Sequence, residues 1–471
     1  MSSLLAALEN SANALDVFQQ EIGVTQDNVL NASTPGYAKQ QLDTTALGFQ
    51  PLAGMYGGVQ AGQIESARSA FAESAVRNEL TQDGFQTQRA NSLQSVQSVF
   101  DVTGQGGLSK AINDLFSAFS SWSESPADIT QRQNVINAAG EFVTNAQQTA
   151  SDLRQSAAST QQGISAEVAS INQLAGQIAK INQSDQSDPA AASGNSAQLY
   201  ATLEQLSQVV NFSTVTASDG TTTVLLEGQV PLVVGGQAYP ISLSMVAAGA
   251  NNSPPAVHIL DASGNDITTH ATGGNLGGLV SVVNSDLAML TGDSTQNGSL
   301  NNLVTGVATA VNNLLTSGQI DQAGTPGAPL FTVTNDATSA ATIQLNAACT
   351  ASELAAIQPG PPVVSNGIAN QLAALANNTA TMPGNQSFIQ YYGNMASQVG
   401  SAANSAQTAR TNCDQLVSQA KSLRSQISGV SLNDEAASLT QLQQAYEASS
   451  QVFTVVNQLM EDLLNAVAAV P

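Results

Sequence analysis

The sequence predicts a mainly α-helical chain, with long terminal helices forming a coiled-coil assembly domain, a helical rod domain and outward-facing β-rich excursions. Three observations carry this. Both ends of the chain show apolar residues at alternating steps of three and four, the spacing of a narrow helical seam. Helical periodicity then fills most of the interval from about Ser66 to about Val210, and β-like composition is confined to the middle. Finally, all eleven Lys and Arg lie between Lys39 and Lys180 or between Arg410 and Arg424, so residues 181–409 have none against twelve acids. An inserted middle between two flanks that resemble each other would produce that partition.

Taken in order, residues 1–31 read as a helix whose stripe is Leu4, Leu8, Ser11, Leu15, Phe18, Ile22, Thr25 and Val29. Pro35 disfavours a helical Thr34, and Pro35-Gly36 suits the centre of a type II turn. Asn31 is expected to close the helix in the left-handed conformation. Tyr37 to about Ile64 reads as extended and Gly-rich. The next helical stretch is broken near Gly104–Gly107 and Asp185–Gly194, and contains a second stripe, Ile164, Val168, Ile171, Ala175 and Ile178. From "VNFSTVTASDGTTTVLLEG" to about Thr272 the period becomes that of strands, with an Asp-Gly turn. Two helices follow, then a second extended stretch from Ala328 to about Val364, then helix again to about Ile427. The last stripe is Leu439, Leu442, Tyr446, Ser449, Phe453, Val456, Met460, Leu463, Val467 and Val470, with its other face read as polar and nearly uncharged. Residues 1–50 and 432–471 are thus the halves of the assembly domain. Residues 51–210, 273–325 and 366–431 make the helical domain, and 211–272 and 326–365 two β-rich insertions.

A net charge of −23 would be repelled by nucleic acid and by an anionic membrane surface. No apolar run approaches the length of a membrane span, and no basic residue or apolar core near the start marks a conventional signal peptide. Signals for catalysis are weak, and neither an enzymatic activity nor a cofactor is expected. His258, Asp261, Asp266 and His270 lie close in sequence, yet Thr272 stands where a calcium loop starting at Asp261 needs a bidentate Glu; a hairpin turn fits better. "GGNLGG" lacks the Lys-Ser of a phosphate loop and reads as a flexible lead-in to a helix. Cys349 and Cys413 match no metal spacing; they read as two small core residues, with a disulfide between them as the open alternative.

Four stretches carry a resemblance. "NVLNASTPGYAKQ" (Asn28 to Gln40) resembles the N-terminal signature shared by the axial proteins of the bacterial flagellum, with Lys39 where the family often has Arg. "GLSKAINDLFSAFSSWSESPADITQRQNVINAA" (Gly107 to Ala139) and "GGNLGGLVSVVNSDL" (Gly273 to Leu287) resemble stretches of the hook-associated protein 1 family. Ser428 to Leu464 is similar to the axial C-terminal signature. The resemblance implies a structural protein exported unfolded through the flagellar type III apparatus and placed at the junction of hook and filament, where swimming depends on it. Its implied partners are further copies in a ring, the hook protein, the second junction protein (hook-associated protein 3) and an export chaperone at the C-terminus. The assembly residues it implies are Leu4, Leu8, Leu15, Phe18, Ile22, Val29, Asn31, Pro35, Gly36, Tyr37 and Lys39 at one end. At the other they are Leu439, Leu442, Tyr446, Phe453, Val456, Met460 and Leu463. Tyr37 and Lys39 are expected to touch adjacent subunits. Two alternatives stay open: a rod or hook protein, which would lack the two internal stretches, and a secreted adhesin acting through the β-rich middle.

Overall fold

The computed structural model describes residues 2–50, 55–101, 103–187, 192–246 and 251–468. The two ends meet. Helix α1 (Ser2–Asn31) is followed by an antiparallel ribbon, β1 (Gln40–Ala46) with β4 (Val59–Ser66), whose tip carries the short pair β2 (Phe49–Gln50) and β3 (Met55–Tyr56). The ribbon lies along α1, and the last helix of the chain packs on α1 as well. Thirty residues of helix cannot bury a stripe alone; neighbours on two sides supply that burial.

Beyond the ribbon come α2 (Ala70–Gln97), α3 (Gly107–Glu124), the 59-residue α4 (Ile129–Ser187) and α5 (Ala192–Val209). Helix α2 starts at Ser69, whose hydroxyl accepts from the Ala72 N–H. The inner face of α3 is Leu108, Ile112, Leu115, Phe119 and Trp122, all essentially buried. Helix α4, about 88 Å long at 1.5 Å per residue, serves two cores in succession. Val135, Phe142, Ala146 and Leu153 join the core built with α3, and Ile164, Ile171 and Ile178 join a second core.

That second core is capped by the β-rich unit. Strands β5 (Ser213–Thr216), β6 (Thr222–Leu226), β7 (Val230–Val234) and β8 (Gln237–Ala238) form an antiparallel sheet in that order; β9 (Ser242–Val246) pairs antiparallel with β10 (Ala256–Leu260). Val224, Leu226, Leu232, Val233, Val257 and Ile259 point inward beside Leu203 and Leu206 of α5. Amide side chains stitch the sheets to the helices. Asn182 donates to the carbonyls of Thr222 (2.9 Å) and Gly235 (2.7 Å) and accepts from the Thr222 N–H (3.0 Å). Asn172 makes the same two-way bond with Ile241. Backbone groups that a sheet would leave unpaired are satisfied this way.

The chain returns through α6 (Gly274–Ser281), a π-helical turn (Val282–Leu287), α7 (Ala288–Thr291) and α8 (Ser299–Ser317). The π turn aims two side chains at different layers: Asn284 exchanges hydrogen bonds with the Val257 backbone, and Asp286 pairs with Arg89 of α2. "GGNLGG" is not a flexible lead-in. A Cβ on Gly278 would sit 2.4 Å from the Phe85 carbonyl oxygen, so this glycine lets α6 lie directly against the α2 backbone.

Residues 326–365 correct a second expectation. Their regular structure is one strand pair of two residues each, β11 (Phe331–Thr332) and β12 (Gln344–Leu345), with the short helix α9 (Ser339–Thr342) and a 3₁₀ turn. Leu330, Phe331, Ile343 and Leu354 sit in the first core, so the segment lines the helical rod instead of projecting from it. Its Asn, Asp and Thr side chains form turns, and its apolar residues fill gaps between helices. The chain then runs through α10 (Gly367–Ala374), the 41-residue α11 (Phe388–Ser428), which lies along α2 and opens with a capping box at Ser387 and Gln390, and α12 (Leu432–Ala468). Among the described residues no helix is long and apolar enough to cross a membrane.

Candidate functional site: the junction of the two chain ends

Segments 407 positions apart meet at one buried amide. Asn28, 1% exposed, accepts from the Tyr37 hydroxyl (2.9 Å) and the Gln40 N–H (2.8 Å), and donates to the Gln40 carbonyl (2.9 Å) and to Glu435 Oε2 (3.2 Å). Both hydrogen-bonding ends of the amide are used. Glu435, 2% exposed, takes the Lys39 ammonium on its other oxygen at 2.7 Å. The residues flanking the ribbon are tied in at Ser428: the Lys39 N–H donates to its carbonyl and the Ser69 N–H to its hydroxyl. Burial, then the Asp27 and Glu435 charges, push the Tyr37 phenol up, which keeps it a donor.

The sharp stop after α1 has a position to hold. The Thr34 carbonyl accepts from the Tyr37 N–H at 3.1 Å, and Gly36 has φ +75°, as the second central residue of a type II turn requires. A Cβ there would come within 2.2 Å of the Ala197 carbonyl, so the turn sits flush on α5. Arg68 fixes it from the other side. Its guanidinium donates to the Gly36 carbonyl (2.7 Å) and to Glu73 (2.6 Å) and lies 3.7 Å from the Tyr200 ring centroid. Glu73, 4% exposed, also receives Arg424 of α11, which reaches Glu204 of α5 at 2.7 Å; Lys421 reaches Glu204 as well. Burial pushes the Glu204 carboxyl up, but the Arg424 and Lys421 hydrogen bonds outweigh it and hold it below the usual range. Five charged groups, Arg68, Glu73, Arg424, Glu204 and Lys421, thus lock the base of α2, α5 and α11 to the turn.

Several assembly residues expected from sequence lie inside the chain. Tyr37 and Lys39 bond to Asn28 and Glu435 of their own chain in an internal clasp, and both stay half-buried. Asn31 does not adopt a left-handed conformation; it is the last helical residue, donating to the Asp27 carbonyl and accepting from Thr34. Pro35 is exposed and Gly36 half-buried. Leu4, Leu8, Leu15, Phe18 and Ile22 are half-buried on α1, and Leu439, Leu442, Phe453, Val456, Met460 and Leu463 are half-buried on α12; Tyr446 lies at the edge and Val29 is exposed. Half-burial along both stripes is what a two-helix seam leaves. The most buried side chains of α1 are instead Val17, Val24, Thr25 and Asn28, turned toward the ribbon and the clasp. Val467 and Val470 fall outside the described side chains.

Sequence reasoning missed Asn28, Glu435, Arg68 and Glu73. It also missed that α12 has a second apolar line, Val452, Val455 and Leu459, at 50–57% exposure. A Val-Phe-Thr-Val-Val run with apolar residues on both sides of the seam was the available signal. Half of the large exposed hydrophobic side chains among the described residues lie in α1, the ribbon and α12, among them Leu5, Leu30 and Phe49. Elsewhere His258 pairs with Asp266 at 2.5 Å and Asp261 spends its oxygens on Ser263 and Asn265, which closes the turn, while His270 faces Glu227 at 3.4 Å across from it. Both cysteines are free, and burial with the Glu353 charge pushes the Cys349 thiol up to about 11.

Residues 93–331 match the family described as the flagellar hook-associated protein FlgK helical domain, and residues 424–466 match the flagellar basal body rod FlgEFG protein C-terminal family. The chain is 24% identical to flagellar hook-associated protein 1 of Bacillus subtilis over 509 aligned residues, covering 99% of each protein. It is 23% identical to flagellar hook-associated protein 1 of Escherichia coli, covering 99% of this chain and all of that protein. In fold it is similar to the flagellar hook junction protein FlgK from Burkholderia pseudomallei, with a TM-score of 0.64 and 16% identity over 74% of this chain and 99% of that one. The helical-domain match spans half of the chain, and the C-terminal match covers the part of α11 and α12 that closes the clasp. The chain belongs to the flagellar hook-associated protein FlgK family.

Proposed function

We propose that this protein is a structural subunit of the bacterial flagellum that polymerises at the junction of hook and filament and is needed for the filament to grow. The observation that carries the reading is the module at the chain ends: α1 and α12 are paired and clasped, yet leave Val452, Val455 and Leu459 exposed on a helix with no further layer of its own. Contiguous apolar surface of this kind marks a protein–protein contact. The clasp and the Arg68–Glu73–Arg424–Glu204 lattice give the helix pair a fixed attachment to the rod. A subunit that must present one face to several neighbours needs such an attachment.

On this reading the outer faces of α1 and α12 meet neighbouring copies, hook subunits and the second junction protein (hook-associated protein 3). The rod and β-rich unit stand outside that tube. Export through the flagellar type III apparatus, with a chaperone on the C-terminal segment, belongs to the same reading. Deletion of the gene tests it. Electron microscopy is expected to show bare hooks, filament protein in the medium and no swimming. Normal filaments with lost surface attachment would instead support an adhesin acting through the β-rich unit, and loss of the hook itself would support a rod or hook role.

A further inference from the structure

Helix α4 leaves the first core at Leu153 and enters the second at Ile164. Along that passage Ala150, Arg154, Ala157 and Gln161, spaced four, three and four, share one face of the helix, and this face lines a cavity of about 250 Å³. Pro254 and Pro255, in the loop between β9 and β10, line it from the β-rich unit. Leu300 of α8, Ala337 and, in α9, Ala341 line it from the rod. The cavity therefore lies at the joint between the two units, a common place for ligand pockets.

Its walls are held apart by bonds that need no occupant. The Asn251 amide donates to the Asp293 and Gln296 carbonyls (2.9 and 2.8 Å), and the Asn251 carbonyl accepts from the Ala337 N–H (3.1 Å). Asn252, at φ +53°, donates to Asp336 (2.9 Å). Asn301 donates to the Thr291 and Ala337 carbonyls and accepts from the Ala340 N–H, and the Thr338 hydroxyl donates to Asp336. With these groups committed, the interior offers a water few partners. Protein interiors hold few voids larger than a water molecule, and a dry cavity of about 150 Å³ already accepts benzene. Arg154 differs from its neighbours on the stripe. Its Nε donates to the Ala150 carbonyl one turn back (3.2 Å), and among the described residues no carboxylate pairs with its guanidinium.

We propose that this cavity binds a small aromatic carboxylic acid, its ring system against the alanines of α4 and the Pro254-Pro255 pair and its carboxylate on the Arg154 guanidinium. The apolar lining suits a flat hydrophobic body, and the planar guanidinium fork can meet a carboxylate with two parallel bonds. Small side chains are what leave the room, since leucine in place of Ala157 and Ala341 would fill it. A bound acid touches α4, the rod and the β9–β10 loop at once, and so braces the β-rich unit against the rod. The inference is independent of the assembly surface on the terminal helices, which lies on other elements.

The test uses the full chain with naphthoate and its neutral counterpart naphthylmethanol, followed by isothermal titration calorimetry and hydrogen exchange. One naphthoate per chain is expected, bound at least about tenfold more tightly than the alcohol, the difference that one charge-assisted pair supplies. Arg154→Gln should erase that preference and leave weak binding of both compounds. Ala157→Leu with Ala341→Leu should abolish both, with the thermal transition in place. Naphthoate should also slow amide exchange at Asn252, Ser253 and Ala341 of the parent chain and leave α1 and α12 unchanged, a readout that needs no variant to fold. Equal binding of acid and alcohol to the parent overturns the assignment to acids. Binding that survives the double leucine variant, or protection confined to α1 and α12, puts the ligand elsewhere and overturns the site. Absence of binding at millimolar naphthoate overturns it as well.

Discussion

Asn28 illustrates what a single buried amide can fix. Its four hydrogen bonds join α1, the start of β1 and the first turn of α12, and alanine would strand the Gln40 N–H and half of the hydrogen bonding on Glu435. Each buried polar group left without a partner costs about 1–3 kcal/mol, so Asn28→Ala is expected to destabilise the terminal module by about 2–4 kcal/mol. Hydrogen exchange checks this: the Gln40 amide and the last turns of α1 should lose protection while α3 and α8 keep theirs. The quoted motif contained Asn28 and Tyr37, so the stretch that builds the clasp was legible, although the role of Asn28 was not. Glu435 was not, because a partner 407 positions away leaves no local signal. Gly36 was fully legible, since Pro-Gly at a helix stop specifies its own turn. Gly36→Ala forces a side chain into a left-handed conformation, costing about 1–2 kcal/mol, and into the Ala197 carbonyl. Limited proteolysis should then cut between residues 32 and 38, which the intact turn resists.

Among the elements, the turns of the β-rich unit and of the loops beside it share one device. Asp219, Asp266, Asp293 and Asp336 each accept both the N–H and the hydroxyl of a Thr two residues on. These bonds depress the carboxyls. Bonds from Thr268 and His258 take Asp266 to about 2, and for Asp336 burial is outweighed by bonds from Thr338, Asn252 and Thr334, again to about 2. A carboxyl lower in the folded than in the unfolded chain contributes stability above its unfolded value near 3.8, and that contribution drains away as pH falls toward the folded value. Circular dichroism against pH should therefore show stability flat above about pH 5 and falling between about pH 4 and 2, with Asp266→Asn and Asp336→Asn shrinking the drop. The Asp219-Gly220 turn and the strands of 211–272 were readable from composition. Residues 326–365 were not, because isolated apolar residues that plug a helical rod look, in sequence, like short strands. The same ambiguity hid the faces of α1. A 3-4 stripe says that one face is covered, whereas Val17 and Val24 show that the ribbon covers a second.

Taken whole, the molecule is a rod with two cores, fixed at one end to a clasped helix pair whose outer face is apolar and acidic. The order of helices along the chain was legible because amphipathic periods of this length are hard to mistake. What covers each face was not, because coverage depends on segments far apart in sequence. Helix α12 is used unequally: its seam residues are half-buried within the chain, and Val452, Val455 and Leu459 stay exposed. Tyr446→Asp with Phe453→Asp should therefore unpair α12 from α1 and remove its protection from exchange. The decisive measurement is V452S/V455S/L459S expressed in a deletion strain, scored by thermal melting of the purified protein and by filament counts in electron micrographs. Substituting exposed residues should leave the melt within a degree or two of the parent, and the expected result is a normal melt with bare hooks. A normal melt with filaments at parental number and length would contradict the assignment of this face to assembly.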